Sequence, residues 1–172
     1  MAISRRSFVT ALWAAPVSLF PERLFADCHS DGSDIGHSLK RVDTFGGEGG
    51  KIFSLENTCS IGLRGQTAGY VEQLTINGTP IGGYGGMNQG TIVMADDEYI
   101  SYILVRHSNN GTGIVEHLEF KTNKGRKMSA GGQGGVPTEL TDIRVVAIGG
   151  RGQREKGCLE RFDVEYIENF KA

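Results

Sequence analysis

The sequence predicts an all-β domain built as three small antiparallel sheets around a pseudo-threefold axis, and three observations carry the prediction. Glycine supplies 26 of the 172 residues; in helix interiors each would cost close to 1 kcal/mol relative to alanine, which argues against a long-helix protein. The pattern Gly-Gly-x-Gly-Gly occurs three times: Gly46, Gly47, Gly49 and Gly50; Gly82, Gly83, Gly85 and Gly86; Gly131, Gly132, Gly134 and Gly135. A second pattern alternates with it. Gly69-Tyr70-Val71-Glu72-Gln73-Leu74-Thr75-Ile76 matches Gly113-Ile114-Val115-Glu116-His117-Leu118-Glu119-Phe120 and Gly157-Cys158-Leu159-Glu160-Arg161-Phe162-Asp163-Val164, the three copies starting 44 residues apart. Interleaved repeats of this kind mark a repeated structural unit.

Each unit runs in the same order: a double-glycine loop, a strand region, a turn, and a strand that opens on the glutamate. β-Branched and aromatic residues bounded by turn signals predict strands, with Ile100 to Arg106 and Ile143 to Ile148 the clearest. Asn77-Gly78, Asn110-Gly111 and the Thr122 to Gly125 segment read as turns. Alternation puts Glu72, Leu74 and Ile76 on one face, as it does Glu116, Leu118 and Phe120, and Glu160, Phe162 and Val164. Their apolar members must face a core, so each glutamate stands at the tip of an inward row, with its carboxylate expected at the rim.

Composition narrows the class further. Collagen is excluded by the lack of a three-residue glycine period and by only four prolines, and an apolar content of 38% argues against a disordered chain. A formal net charge of −2 offers no basic surface for nucleic acid.

The first 26 residues read differently. Ser4, Arg5, Arg6, Ser7, Phe8, Val9 and Thr10 precede an apolar stretch through Phe20, and Ala26 offers a small residue for cleavage. This segment resembles a twin-arginine (Tat) signal peptide and is too short for a membrane span. The resemblance implies bacterial export to the periplasm or the medium and a leader of residues 1–26; residues 27–41, polar with two histidines and little apolar content, read as a flexible lead-in to a folded domain of residues 42–172. Cys28, Cys59 and Cys158 fit no zinc or redox spacing. An oxidising compartment permits one disulfide, and the expectation is that Cys28 ties the lead-in to one of the other two.

The motifs together resemble the jacalin-related lectins. The matching residues are Phe45-Gly46-Gly47-Glu48-Gly49-Gly50, Asp97-Glu98-Tyr99-Ile100-Ser101, Leu118-Glu119-Phe120-Lys121-Thr122-Asn123 and Val146-Ala147-Ile148-Gly149-Gly150-Arg151-Gly152, leading to Leu159-Glu160. The resemblance covers about residues 42 to 168. It implies a β-prism I fold, three four-stranded Greek-key sheets about a pseudo-threefold axis, and a carbohydrate partner of mannose or galactose type. In that family a sugar sits between the first double-glycine loop and the loop opening the last strand. Carried over, Gly46 and Gly47 would face Gly157, Cys158, Leu159 and Glu160, with Glu160 at the position of the family's aspartate. By the same rule, pairing each glycine loop with a strand-opening loop of a neighbouring sheet, Gly82, Gly83 and Tyr84 would face Gly69, Tyr70 and Glu72. A third candidate site would join Gly131 and Gly132 to Gly113 and Glu116. Related lectins are often dimers or tetramers, which makes a homo-oligomer an expectation.

The chemistry stands apart from the resemblance. A carboxylate offers two acceptor oxygens to neighbouring sugar hydroxyls, glycine lets backbone approach the ring, and an aromatic face packs on its C–H side. One such site binds weakly, near millimolar or about −4 kcal/mol, and several together supply avidity. Two other readings stay open: the glycines serve as positive-φ corners with each glutamate accepting its own loop's amides, or the prism is a scaffold for protein–protein contacts in the envelope. Gly46 to Lys51 is not a phosphate loop, since no Ser or Thr follows Lys51 and no helix follows. His107 and His117 lack a third ligand, so neither metal nor cofactor is expected. Lys121, Lys124, Arg126 and Lys127 read as a solvated turn, with an anionic polysaccharide or lipopolysaccharide as the alternative. With the glutamates on separate sheets, nothing sets two carboxylates across one glycosidic bond, so no enzyme is expected.

Overall fold

A computed structural model describes residues 39–66, 69–108, 113–153 and 157–170, with backbone only at Leu55 and Glu56. The described residues form twelve strands: β1 (Lys40–Gly46), β2 (Lys51–Asn57), β3 (Ser60–Gly65), β4 (Val71–Ile76), β5 (Thr79–Gly82), β6 (Met87–Val93), β7 (Ile100–His107), β8 (Val115–Thr122), β9 (Lys127–Gly131), β10 (Val136–Leu140), β11 (Ile143–Gln153) and β12 (Cys158–Glu168). They make three four-stranded sheets of order β1-β12-β11-β2, β5-β4-β3-β6 and β10-β7-β8-β9, and every pairing is antiparallel. This is the three-sheet prism that the repeats predict. Two of the sheets are continuous in sequence, while the first is closed by the terminal strands, with β12 inserted between β1 and β11.

Local chemistry accounts for the turns. Asn77 and Gly78 both take positive φ, 49° and 81°, between β4 and β5, as a two-residue hairpin with the native strand twist requires. The Thr122 to Gly125 turn joins β8 to β9, its Gly125 amide bonded to Thr122 O at 2.9 Å. Asn110-Gly111 lies outside the described residues, as do the leader, residues 27–38 of the lead-in and Cys28. Lys40 and Arg41, at the end of the expected lead-in, already belong to β1. Cys59 is disulfide-bonded, whereas Cys158 keeps a buried thiol.

The core lies between the three sheets. Leu74, Leu118, Phe120, Phe162 and Val164 are fully buried in it, as alternation predicts. Phe162 sits 6.0 Å from Phe120 and 6.3 Å from Phe45, ring centre to ring centre. Alternation breaks just before each glutamate: Val71, Val115 and Leu159 are also fully buried. The register slips opposite the start of each of these strands, at Arg64/Gly65, Arg106/His107 and Arg151/Gly152, and such bulges re-aim neighbouring side chains.

Candidate functional site

The three double-glycine loops join β1 to β2, β5 to β6 and β9 to β10, and each sits against the opening of the glutamate strand in its own sheet. The first and last glycine of each loop take positive φ, as at Gly46 (105°) and Gly50 (76°), a conformation that side chains resist. The second glycine anchors the loop by its amide. Gly47 N–H bonds Glu160 O at 2.8 Å and Gly113 O at 3.0 Å; Gly83 N–H bonds Glu72 O at 2.8 Å; Gly132 N–H bonds Glu116 O at 2.9 Å and Gly69 O at 2.8 Å.

The third glycine lies against the glutamate side chain. A Cβ at Gly49, Gly85 or Gly134 would collide with the carboxylate of Glu160, Glu72 or Glu116, coming within 3.0, 2.9 and 3.0 Å of the respective Cδ atoms. Glu72 and Glu160 are 4% and 6% exposed, and Glu116 is half-buried, so the carboxylates lie beneath the loops instead of at an open rim. Glutamate, one methylene longer than aspartate, has the reach to tuck under the third glycine. Gln66 Nε2 donates to Glu72 Oε1 at 2.7 Å, while Glu72 Oε2 is buried without a hydrogen-bond partner among the described residues. A buried carboxylate oxygen is costly unless something donates to it. Tyr84 stands 56% exposed at the apex of the second loop, with Tyr70 half-buried.

The pairings differ from the expected ones in a regular way. Each glutamate does meet its expected glycine loop, but the two belong to one sheet, not to neighbouring sheets. The strand-opening glycines are exchanged around the axis: Gly113 meets Gly47, not Gly132; Gly69 meets Gly132, not Gly83; Gly157 meets Gly83, not Gly47. The reason is the chain's path. Each opening loop crosses the gap to lean on the next sheet, and a few residues later its strand is already in the ladder of its own sheet. Cys158 and Leu159, in the loop expected to face Gly46 and Gly47, are buried at 4% and 0% exposure.

Three arginines escaped the sequence reading. Arg151 Nη1 donates to Glu48 O at 2.6 Å, Arg106 Nη1 to Gln133 O at 3.2 Å, and Arg64 Nε and Nη2 to Gly85 O and Gly86 O, both at 3.2 Å. The usable signal was the spacing of Arg64, Arg106 and Arg151, which stand eight, ten and nine residues before Glu72, Glu116 and Glu160.

The remaining candidates resolve simply. Arg106, not His107, is paired across the ladder with His117, and among the described residues no group of three His, Cys, Asp or Glu side chains could hold a metal. The basic turn is paired with acids: Lys124 with Asp97, Arg126 with Glu98, and Lys121 and Lys127 both with Glu119 at 3.3 and 2.9 Å. No helix among the described residues is long and apolar enough to cross a membrane.

Comparison with known proteins agrees with this architecture. The chain is 34% identical over 107 residues to griffithsin from Griffithsia sp., a span of 62% of this chain and 82% of that protein. Among solved structures, wild-type Malaysian banana lectin superposes with a TM-score of 0.60 at 21% identity, covering 77% of this chain and 99% of that one. A mannose binding jacalin related lectin from Ananas comosus gives 0.59 at 22% identity, covering 76% and 98%. Artocarpin complexed with Me-alpha-mannose gives 0.53 at 21%, covering 76% and 97%. At these identities the structural likenesses show the fold. Residues 42–162 match the jacalin-like lectin domain, so the chain belongs to the jacalin-like lectin family, as a non-catalytic binding domain.

Proposed function

We propose that this protein is an exported carbohydrate-binding lectin that takes mannose- or galactose-type sugars between its double-glycine loops and strand-opening glutamates, with the Glu160 and Glu72 sites leading and the Glu116 site third. The observation that carries the reading is the threefold recurrence of a carboxylate lying against a loop glycine. Carboxylate acceptors held just beneath the loop backbone suit the adjacent hydroxyls of a pyranose seated on that loop. At the second loop the exposed Tyr84 ring offers a face for the sugar's C–H side. The artocarpin structure holds a mannoside and the Ananas comosus relative is mannose binding, which favours mannose as the first probe. Export by the twin-arginine route, to periplasm or medium, rests on Arg5 and Arg6 before the apolar run.

A glycan array, followed by titration of wild type, Glu72→Gln and Glu160→Gln with the sugars that score, tests the reading. Loss of roughly tenfold or more at the mutated site is expected, the scale of a charge-assisted hydrogen bond. Unchanged binding in both variants would sink the carboxylate assignment; an array without a hit would sink the lectin reading. Processing near Ala26 and its loss on replacing Arg5 and Arg6 by lysine would test the export route.

A further inference from the structure

We propose that Arg64, Arg106 and Arg151 are the positioning residues of the three glycine loops, each holding loop carbonyls so that the loop amides are turned toward the ligand. The inference rests on the carbohydrate-binding reading for what the ligand is, but the clamp itself is a statement about the loops.

The three arginines are one structural position repeated. Each stands on the strand facing the glutamate strand, β3, β7 or β11, and each immediately precedes a slip in the ladder: Arg64/Gly65, Arg106/His107 and Arg151/Gly152. A bulge redirects a side chain out of simple alternation, and here all three guanidinium groups end on main-chain oxygens of the double-glycine loop in the same sheet. The loops themselves differ at their central residue, Glu48, Tyr84 and Gln133. At the first loop the Glu48 carboxylate adds ion pairs of its own, to Arg151 and Arg161 at 3.2 Å each, so what the three loops share is the bond from an arginine to a loop carbonyl.

The consequence for binding follows from peptide geometry. In a trans peptide the carbonyl and the next residue's N–H point to opposite sides. Arg151 on Glu48 O thus turns the Gly49 N–H away from the guanidinium, and Arg106 on Gln133 O does the same for Gly134. Gly49 and Gly134 are the glycines that lie against the carboxylates of Glu160 and Glu116. The glycine whose amide is turned in this way is also the one that borders the carboxylate, so a backbone donor and a carboxylate acceptor lie close together, the pairing a vicinal diol needs. In the second loop the grip is one residue later and double, on Gly85 O and Gly86 O. A glycine-rich segment with no clamp would sample many such orientations, since glycine loses the most backbone freedom on ordering; preorganising it strengthens binding without a new ligand contact.

The test uses the full chain, wild type, Arg64→Gln and Arg64→Lys, with methyl α-mannoside as the probe. Residue-resolved amide hydrogen exchange should rise severalfold across residues 82–86 in Arg64→Gln, with residues 46–50 and 131–135 unchanged and the melting temperature nearly constant. Sugar-induced amide shifts at the second loop should need roughly tenfold to a hundredfold more mannoside, the scale of bonds to a charged donor, while the other two loops respond as before. Arg64→Lys keeps the charge but lacks the planar fork that spans two carbonyls, so it should recover only part of the loss; full recovery would overturn the need for the fork. Unaltered loop exchange together with unaltered binding at the second loop would overturn the proposal. A wild type that binds no sugar at all would instead overturn the carbohydrate reading, and the exchange data would still decide for or against the clamp.

Discussion

Replacing Gly47 by alanine should disable the first loop while leaving the prism folded. The Gly47 amide is the loop's anchor, bonded to Glu160 O at 2.8 Å and to Gly113 O at 3.0 Å. An added Cβ would stand 2.7 Å from the Cα of Gly113, where ordinary contact begins at 3.4 Å. The neighbour is backbone at the head of β8, with no flexible end to swing aside, so the two loops must separate by about 0.7 Å. Such a shift stretches the bond to Gly113 beyond hydrogen-bonding range and weakens the one to Glu160. One to two bonds at about 0.5–1.5 kcal/mol each, with some relaxation, give an expected destabilisation of about 0.5–3 kcal/mol. Urea unfolding measures that figure, and a residue-resolved sugar titration should show the Glu160 site lost with the Glu72 site retained. Wild-type stability together with wild-type binding at the first loop would refute the reasoning, because it would mean that the close approach of Gly47 to Gly113 is not required.

Three further outcomes are expected. Phe162→Ala removes a fully buried ring between Phe45 and Phe120 and should cost about 3–5 kcal/mol by denaturant unfolding; a loss below about 1 kcal/mol would show that the sheets of Phe162 and Phe120 do not pack together there. Tyr84→Ser should leave the melting temperature unchanged, since the ring is 56% exposed, yet weaken sugar at the second loop roughly two- to tenfold, and equal affinity would remove the ring from the site. The Arg126 guanidinium on Glu98 holds that carboxyl down to about 2, below its unfolded value, so its contribution to stability is complete above about pH 4.5 and lost as pH falls toward 2. Melting curves of wild type and Glu98→Gln should therefore differ at pH 7 and converge in strong acid; a constant gap would exclude the ion pair as the cause.

Chain periodicity was enough for the number of units and the all-β class, while the glycine loop that each glutamate meets followed from the resemblance to the jacalin-related lectins. The first two are local properties: Leu74, Leu118 and Phe162 recur at the same step after a glutamate, and a strand buries whatever alternates onto one face. Tyr84 was singled out by the same resemblance, together with the way an aromatic face packs on the C–H side of a sugar. The exchange of Gly69, Gly113 and Gly157 around the axis was not legible. A repeat says that units are alike, but not which neighbour each opening loop leans on, and that choice is made by how three twisted sheets close on one another. The arginines were hidden for a related reason. Simple alternation misdirects Arg64, Arg106 and Arg151, because a slip in the ladder beside each of them depends on the partner strand. The burial of the carboxylates belongs to the same level: glutamate at the strand opening is written in the chain, whereas the depth at which it lies under Gly49, Gly85 and Gly134 is set by loops that reach it only through the folded sheet.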